Sequence, residues 1–94
     1  MVNRSLPSIS IITANLNGGA TLERTIKSIL EQDYPALEYI VVDGGSRDGS
    51  LQILEAFRES IDILISEPDQ GISDAFNKGI GRASGETIGI VRFS

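Results

Sequence analysis

Tyr39-Ile40-Val41-Val42-Asp43-Gly44-Gly45-Ser46-Arg47-Asp48-Gly49-Ser50 is the stretch on which the fold of this chain turns. A short apolar run rich in β-branched residues breaks into an acid, two glycines and a set of helix-capping side chains. The pattern predicts a buried strand ending at Asp43, a tight turn and a new helix. In open α/β sheets, ligands bind in the crevice outside the carboxyl ends of the strands. A carboxylate there accepts hydrogen bonds from a nucleobase or ribose, and glycines let a ligand approach the backbone.

Outward from that segment, apolar runs alternate with helical patterns. Ile9 to Thr13 reads as a first strand after Pro7, and Leu22, Ile26, Ile29 and Leu30 mark a helix from about Ala20 to Gln32. Tyr34-Pro35 stops it, because proline cannot continue a helix and restricts the residue before it. Leu37 to Val42 is the second strand. Leu51, Ile53, Leu54 and Phe57 outline a second helix with Ser46 or Ser50 as N-cap. Ile61 to Ile65 is a third strand. Ile72, Ala75, Phe76, Gly79, Ile80 and Ala83 mark a third helix, with Phe76 and Ile80 assigned to the core and Gly85 as a left-handed cap. Gly79 and Gly81 weaken that helix by about 1 kcal/mol each relative to alanine, which implies close packing on the sheet. Thr87 to Val91 is the fourth strand.

This alternation with short connections predicts an α/β, Rossmann-like, mainly parallel sheet of about four strands with three helices. Right-handed crossovers bring the loops Ala14 to Gly19, Asp43 to Gly49 and Ser66 to Gly71 to one rim.

Composition narrows the function. The 94 residues amount to one small domain or part of a larger one. Thirteen acidic against eight basic residues give a net charge of −5 and no basic cluster, so no nucleic-acid partner is expected. Cysteine and histidine are both absent, which removes disulfides, thiolate metal sites and the usual general base. No apolar run approaches a membrane span and the first residues do not form a signal peptide. The expected location is cytoplasmic, with peripheral attachment to the inner face of the membrane left open.

Three constellations carry candidate chemistry. Asn15-Leu16-Asn17-Gly18-Gly19 opens a helix and offers backbone N–H groups to a phosphate. The plainer reading, that these residues turn the chain and cap the helix, is preferred. Neither a Gly-x-Gly-x-x-Gly fingerprint nor a P-loop lysine is present. For Asp43 a ligand role is preferred over capping of the Gly45 and Ser46 amides, while Asp48 complements the dipole of the second helix. The third is Glu67-Pro68-Asp69-Gln70-Gly71-Ile72-Ser73-Asp74-Ala75-Phe76-Asn77-Lys78-Gly79. Its Ser73/Asn77 and Asp74/Lys78 pairs lie one turn apart, the latter reading as an exposed ion pair.

Taken in order, these residues resemble the N-terminal part of family 2 glycosyltransferases with the GT-A fold. Ser10-Ile11-Ile12-Thr13-Ala14-Asn15-Leu16-Asn17, Ser28-Ile29-Leu30-Glu31-Gln32-Asp33-Tyr34-Pro35, the Asp43 element, Gly71 to Gly79 and Ala83-Ser84-Gly85-Glu86 follow with family-like spacing. The variants Asp43-Gly44-Gly45 and Glu67-Pro68-Asp69-Gln70-Gly71 look most like bacterial polysaccharide-building enzymes.

The resemblance implies transfer of a sugar from a nucleotide diphosphate sugar to an acceptor hydroxyl, with the donor held in this part of the fold. It makes Ala14 and Asn15 lining residues of the base and ribose pocket and Asp43 a nucleoside contact. Gly44 stands where a second acid is common, and Asp69, Asp74 and Asn77 border the donor. It also implies a divalent metal, Mg²⁺ or Mn²⁺, bound by acids after the fourth strand. Here that position reads Val91-Arg92-Phe93-Ser94. No catalytic base or metal ligand is therefore assigned, and residues 1–94 are expected to be a truncated donor-binding domain, inactive alone. A second reading, from a different class, is a noncatalytic α/β binding or assembly module. An exposed fourth strand also predicts pairing with another copy.

Overall fold

The computed structural model describes residues 7–32, 34–68 and 72–92. In chain order they form β1 (Ile9–Asn15), α1 (Gly19–Leu30), β2 (Leu37–Asp43), α2 (Ser50–Ala56), a 3₁₀ turn (Arg58–Ser60), β3 (Ile63–Ser66), α3 (Ile72–Arg82) and β4 (Thr87–Arg92). The four strands make one sheet in the order β3-β2-β1-β4, and every pairing is parallel. The expected α/β, Rossmann-like architecture of four strands and three helices is the one observed.

Strand order explains where the helices go. The chain moves outward from β1 to β2 to β3, then crosses back over both inner strands to reach β4. Right-handed crossovers put α1 and α2 on one face and α3 on the other. Two cores follow. Leu22, Ile26 and Ile29 of α1 and Leu54 of α2 bury Tyr39 and Val41 of β2. On the opposite face Ala75 of α3 covers Ile12 and Ala14 of β1 and Ile40 and Val42 of β2. Because β1 and β2 are buried on both faces, they read as continuous apolar runs rather than alternating ones.

The structure corrects several local expectations. β3 begins at Ile63, not Ile61. Ile61 is buried in the α1/α2 core, and the Asp62 carboxylate accepts the Tyr39 N–H at 2.7 Å. Ile80 is 42% exposed and not a core residue. Gly85 does not adopt a left-handed conformation, since Gly19 and Gly45 are the glycines with positive φ among the described residues.

Gly85 is needed for proximity instead. A Cβ there would lie 2.6 Å from the Ser10 amide nitrogen. Its N–H donates to the Ser10 hydroxyl at 2.8 Å, and Ser10 in turn donates to Glu38 Oε1 at 2.8 Å. Glu38 also accepts from the Ser84 N–H at 2.9 Å and the Ser84 hydroxyl at 3.1 Å. The Ser84 N–H first, then the Ser10 hydroxyl, hold the Glu38 carboxyl below its ordinary value against the opposing effect of burial. This clasp closes the amino-terminal edge of the sheet and joins the start of β4 to β1 and β2.

Close packing accounts for one of the two α3 glycines. A Cβ on Gly79 would meet Ile12 Cγ2 at 2.6 Å, whereas one on Gly81 meets nothing within 4 Å. Gly79→Ala is therefore expected to destabilise by about 1–3 kcal/mol through overpacking against the fully buried Ile12, despite its gain in helix propensity. Gly81→Ala is expected to stabilise by about 0.4–1 kcal/mol. Urea unfolding of both variants, with opposite shifts of the midpoint, checks the pair.

Candidate functional site

The carboxyl ends of β1 and β2 lie side by side, with Asn15 opposite Asp43 in the parallel register. Asp43 has no solvent-accessible surface. Its Oδ1 accepts from the Asn15 side-chain amide at 2.9 Å and the Ser46 hydroxyl at 2.5 Å. Its Oδ2 accepts from the N–H groups of Gly45 at 3.1 Å and Ser46 at 2.9 Å, and from the Ser66 hydroxyl at 3.3 Å. Burial pushes this carboxyl up. The hydrogen bonds from the Ser46 hydroxyl and N–H, the Asn15 amide and the Gly45 N–H outweigh it and leave the group below its ordinary value.

The loops gather around that carboxylate. Ser46 Oγ accepts from the Asn15 amide at 3.1 Å and from the Asn17 N–H at 2.8 Å. Asn17, in the left-handed region at φ 55°, accepts the Arg47 N–H on its Oδ1 at 2.7 Å. Asn15 Oδ1 accepts the Gly18 N–H at 3.1 Å, and Ser50 Oγ accepts the Gly19 N–H at 3.2 Å. The two amides of the glycine pair thus turn inward to protein oxygens, matching the capping reading of this segment rather than a phosphate cradle.

The N-cap of α2 is Gly49, not Ser46 or Ser50. Ser46 belongs to the Asp43 network and Ser50 is the first helical residue. Asp48 does serve the helix start, as its Oδ1 accepts the Ser50 N–H at 2.8 Å. The β3–α3 loop joins through the Glu67 N–H, which donates to the Asp43 carbonyl at 2.9 Å.

Strand alternation separates the sequence-predicted site residues into two groups. Asn15 and Asp43 share the face of Val41, toward α1 and α2, and are buried. Ala14 shares the face of Val42, toward α3. Gly44, whose N–H donates to the Asn15 carbonyl at 2.9 Å, continues that second face and is half-buried. Asp74 is half-buried and Asn77 exposed on α3. Asp69 lies outside the described residues. Sequence reasoning missed the central role of Ser46, although a hydroxyl three residues after a strand-end aspartate is a local signal for such a cap. It also missed Ser66 and Asn17, which depend on contacts between loops distant in sequence.

Among the described residues, no group of three or more His, Cys, Asp or Glu side chains has the arrangement to hold a metal ion. None of the described residues is assigned to the metal that the resemblance implies. Among the same residues no helix is long and apolar enough to cross a membrane.

A doubly wound parallel sheet, with polar groups at its carboxyl ends bonded into one rim, defines a Rossmann-like α/β domain. More narrowly, the chain belongs to glycosyl transferase family 2, whose family profile matches residues 10–91. It is 41% identical over 85 residues to an uncharacterized glycosyltransferase of Mycobacterium tuberculosis, covering 89% of this chain and 32% of that protein. A Bacillus subtilis protein named as a putative teichuronic acid biosynthesis glycosyltransferase, TuaG, is 35% identical over 85 residues, covering 87% of this chain and 34% of its own length.

Among solved structures, the Pyrobaculum calidifontis mannosyltransferase PcManGT in complex with GDP-Man and Mn²⁺ superposes with a TM-score of 0.83. The two are 30% identical, over 92% of this chain and 27% of that one. Staphylococcus aureus TarS 1-349 in complex with UDP-GlcNAc gives 0.81 at 27% identity, over 90% of this chain and 26% of that one. The fold is that of these GT-A neighbours, and the chain spans about a third of the length of the curated relatives it matches.

The Asp43 network has a measurable pH signature. Asp43→Asn puts an amide against donor groups and is expected to cost about 1–3 kcal/mol at neutral pH. Because the folded carboxyl titrates below its ordinary value, its contribution is present above about pH 4 and is lost as pH falls through the folded value. Chemical denaturation at a series of pH values should show the gap between parent and variant closing under acid.

Proposed function

We propose that this domain binds a nucleotide diphosphate sugar as the donor for sugar transfer in bacterial polysaccharide or glycoconjugate biosynthesis. The observation that carries the reading is the likeness over 92% of the chain to an enzyme whose complex holds GDP-Man. The TarS complex with UDP-GlcNAc and the teichuronic acid relative support the same donor class and the polymer setting.

Within that reading the predicted site residues take two roles. Asn15 and Asp43 hold the loops from beneath, and Asp43 acts as a positioning residue because its oxygens are already engaged. Ala14, Gly44, Asp69, Asp74 and Asn77 are assigned to the border of the donor, as the family resemblance implies. The proposal assigns donor binding to this chain and no transfer step to any of its residues. The domain is assigned to the cytoplasm, where the cost of moving charge through hydrocarbon confines an anionic donor, with peripheral attachment to the inner face of the membrane left open.

Calorimetric titration of the purified chain with uridine and guanosine diphosphates, with and without Mn²⁺, tests the reading. Binding of one of them is expected. Asn77→Ala, exposed and outside the Asp43 network, is expected to weaken it about three- to tenfold, the equivalent of one hydrogen bond, with no change in melting temperature. A folded parent that binds neither nucleotide favours a noncatalytic α/β module.

The outer edge of β4 is proposed as a pairing surface for a second copy. Ile88 and Ile90 are 40% and 50% exposed on that edge strand. Thr87 to Val91 carries none of the charges or prolines that protect edges. Light scattering at rising concentration is expected to show dimers for the parent and a shift to monomer for Ile90→Lys. A strictly monomeric parent at high concentration overturns this.

A further inference from the structure

Lys78 is bound to more than its helical neighbour. Its Nζ lies 3.5 Å from Asp74 Oδ2, one turn earlier on α3, but 3.1 Å from Glu67 Oε1. It also donates to the Pro68 carbonyl at 3.1 Å. The shorter contacts reach back to the β3–α3 loop, and the Lys78 side chain is only 23% exposed. The three N–H donors of the ammonium therefore face three oxygens. Glu67 first among them, these groups hold the amine above its ordinary value.

The bond to Pro68 matters because it fixes backbone. Pro68 packs on Gly45, where a Cβ would stand 3.4 Å from Pro68 Cα and where φ is +93°. Gly45 donates its N–H to the Asp43 carboxylate, and the Glu67 N–H donates to the Asp43 carbonyl. A continuous set of contacts thus runs from α3 through Pro68 and Gly45 to the hub beneath the rim.

We propose that Lys78 is a positioning residue for donor binding, setting Glu67 and Pro68 against the Asp43 network rather than contacting the donor itself. This rests on the nucleotide-sugar reading above. A simple surface ion pair predicts a small and uniform loss of stability on removal. A loop clamp predicts a local one. Arginine, a planar fork on a longer stem, does not reproduce one point charge shared by three oxygens, so its rescue should be partial.

The test is amide hydrogen exchange and uridine or guanosine diphosphate titration on the 94-residue chain and its Lys78→Met and Lys78→Arg variants. Lys78→Met is expected to lower protection of the Gly45, Ser46 and Glu67 amides roughly tenfold by local opening. Amides at the centre of β2 should be unchanged, the nucleotide affinity should fall, and Lys78→Arg should recover part of both. Unchanged protection at those three amides overturns the clamp. Lost protection with unchanged affinity for a nucleotide that the parent binds overturns the role in donor positioning. A parent that binds neither nucleotide counts against the donor reading and so against donor positioning, while the exchange data alone then decide the clamp.

Discussion

A single buried carboxylate organises the carboxyl rim of this sheet. Asp43 ends the strand next to the sheet centre, has no exposed surface, and receives donors from β1, from its own turn and from β3. Burying a charge is costly unless it is paired or hydrogen-bonded. Here the cost is offset by donors from the ends of both neighbouring strands and from the turn after β2, so that turn must be in place for the strand end to be buried. Removing a donor leaves a desolvated charge, which is more damaging than the loss of an ordinary hydrogen bond.

The arrangement divides labour between the two faces of the sheet. On the α1/α2 side, buried polar groups cross-link the rim; on the α3 side, Ala14 is buried beneath α3 and Gly44 is half-buried. There α3 approaches the sheet closely, because Gly79 carries no Cβ to meet Ile12. Loops fixed in this way would suit the proposed donor, since a preorganised site avoids the entropic cost of ordering loops on binding.

Much of this was legible in the sequence, and the reason is physical. Apolar runs bounded by Asn, Asp and Gly identify parallel strands with polar carboxyl ends, because strands buried on both faces tolerate little else. What sequence reading missed lies between elements. Helical periodicity puts Gly79 on the apolar stripe and leaves Gly81 off it, but it does not show that Gly79 packs on Ile12 while Gly81 faces open space. Gly85 resembles a left-handed helix cap by position, yet its role is approach to Ser10. Asp43 was legible as special, but the choice between ligand contact and capping depends on how many donors converge from remote segments. Ser46 and Lys78 are similar cases, with partners on loops that a linear pattern does not bring together.

The clasp at the other end of the sheet has a further consequence. Gly85 sits so close to Ser10 that any side chain would push the α3–β4 turn away, and Glu38 ties Ser84 to the same spot. These contacts act as a stop that sets how far β4 slides along β1. Because side chains alternate along a strand, a slip of one residue would exchange Ile88 and Ile90 for Gly89 and Val91 on the α3 face. It would also shift the level at which β4 reaches the rim, where Ala14 pairs with Arg92. A glycine and two serines far from the candidate site therefore act as its measuring edge.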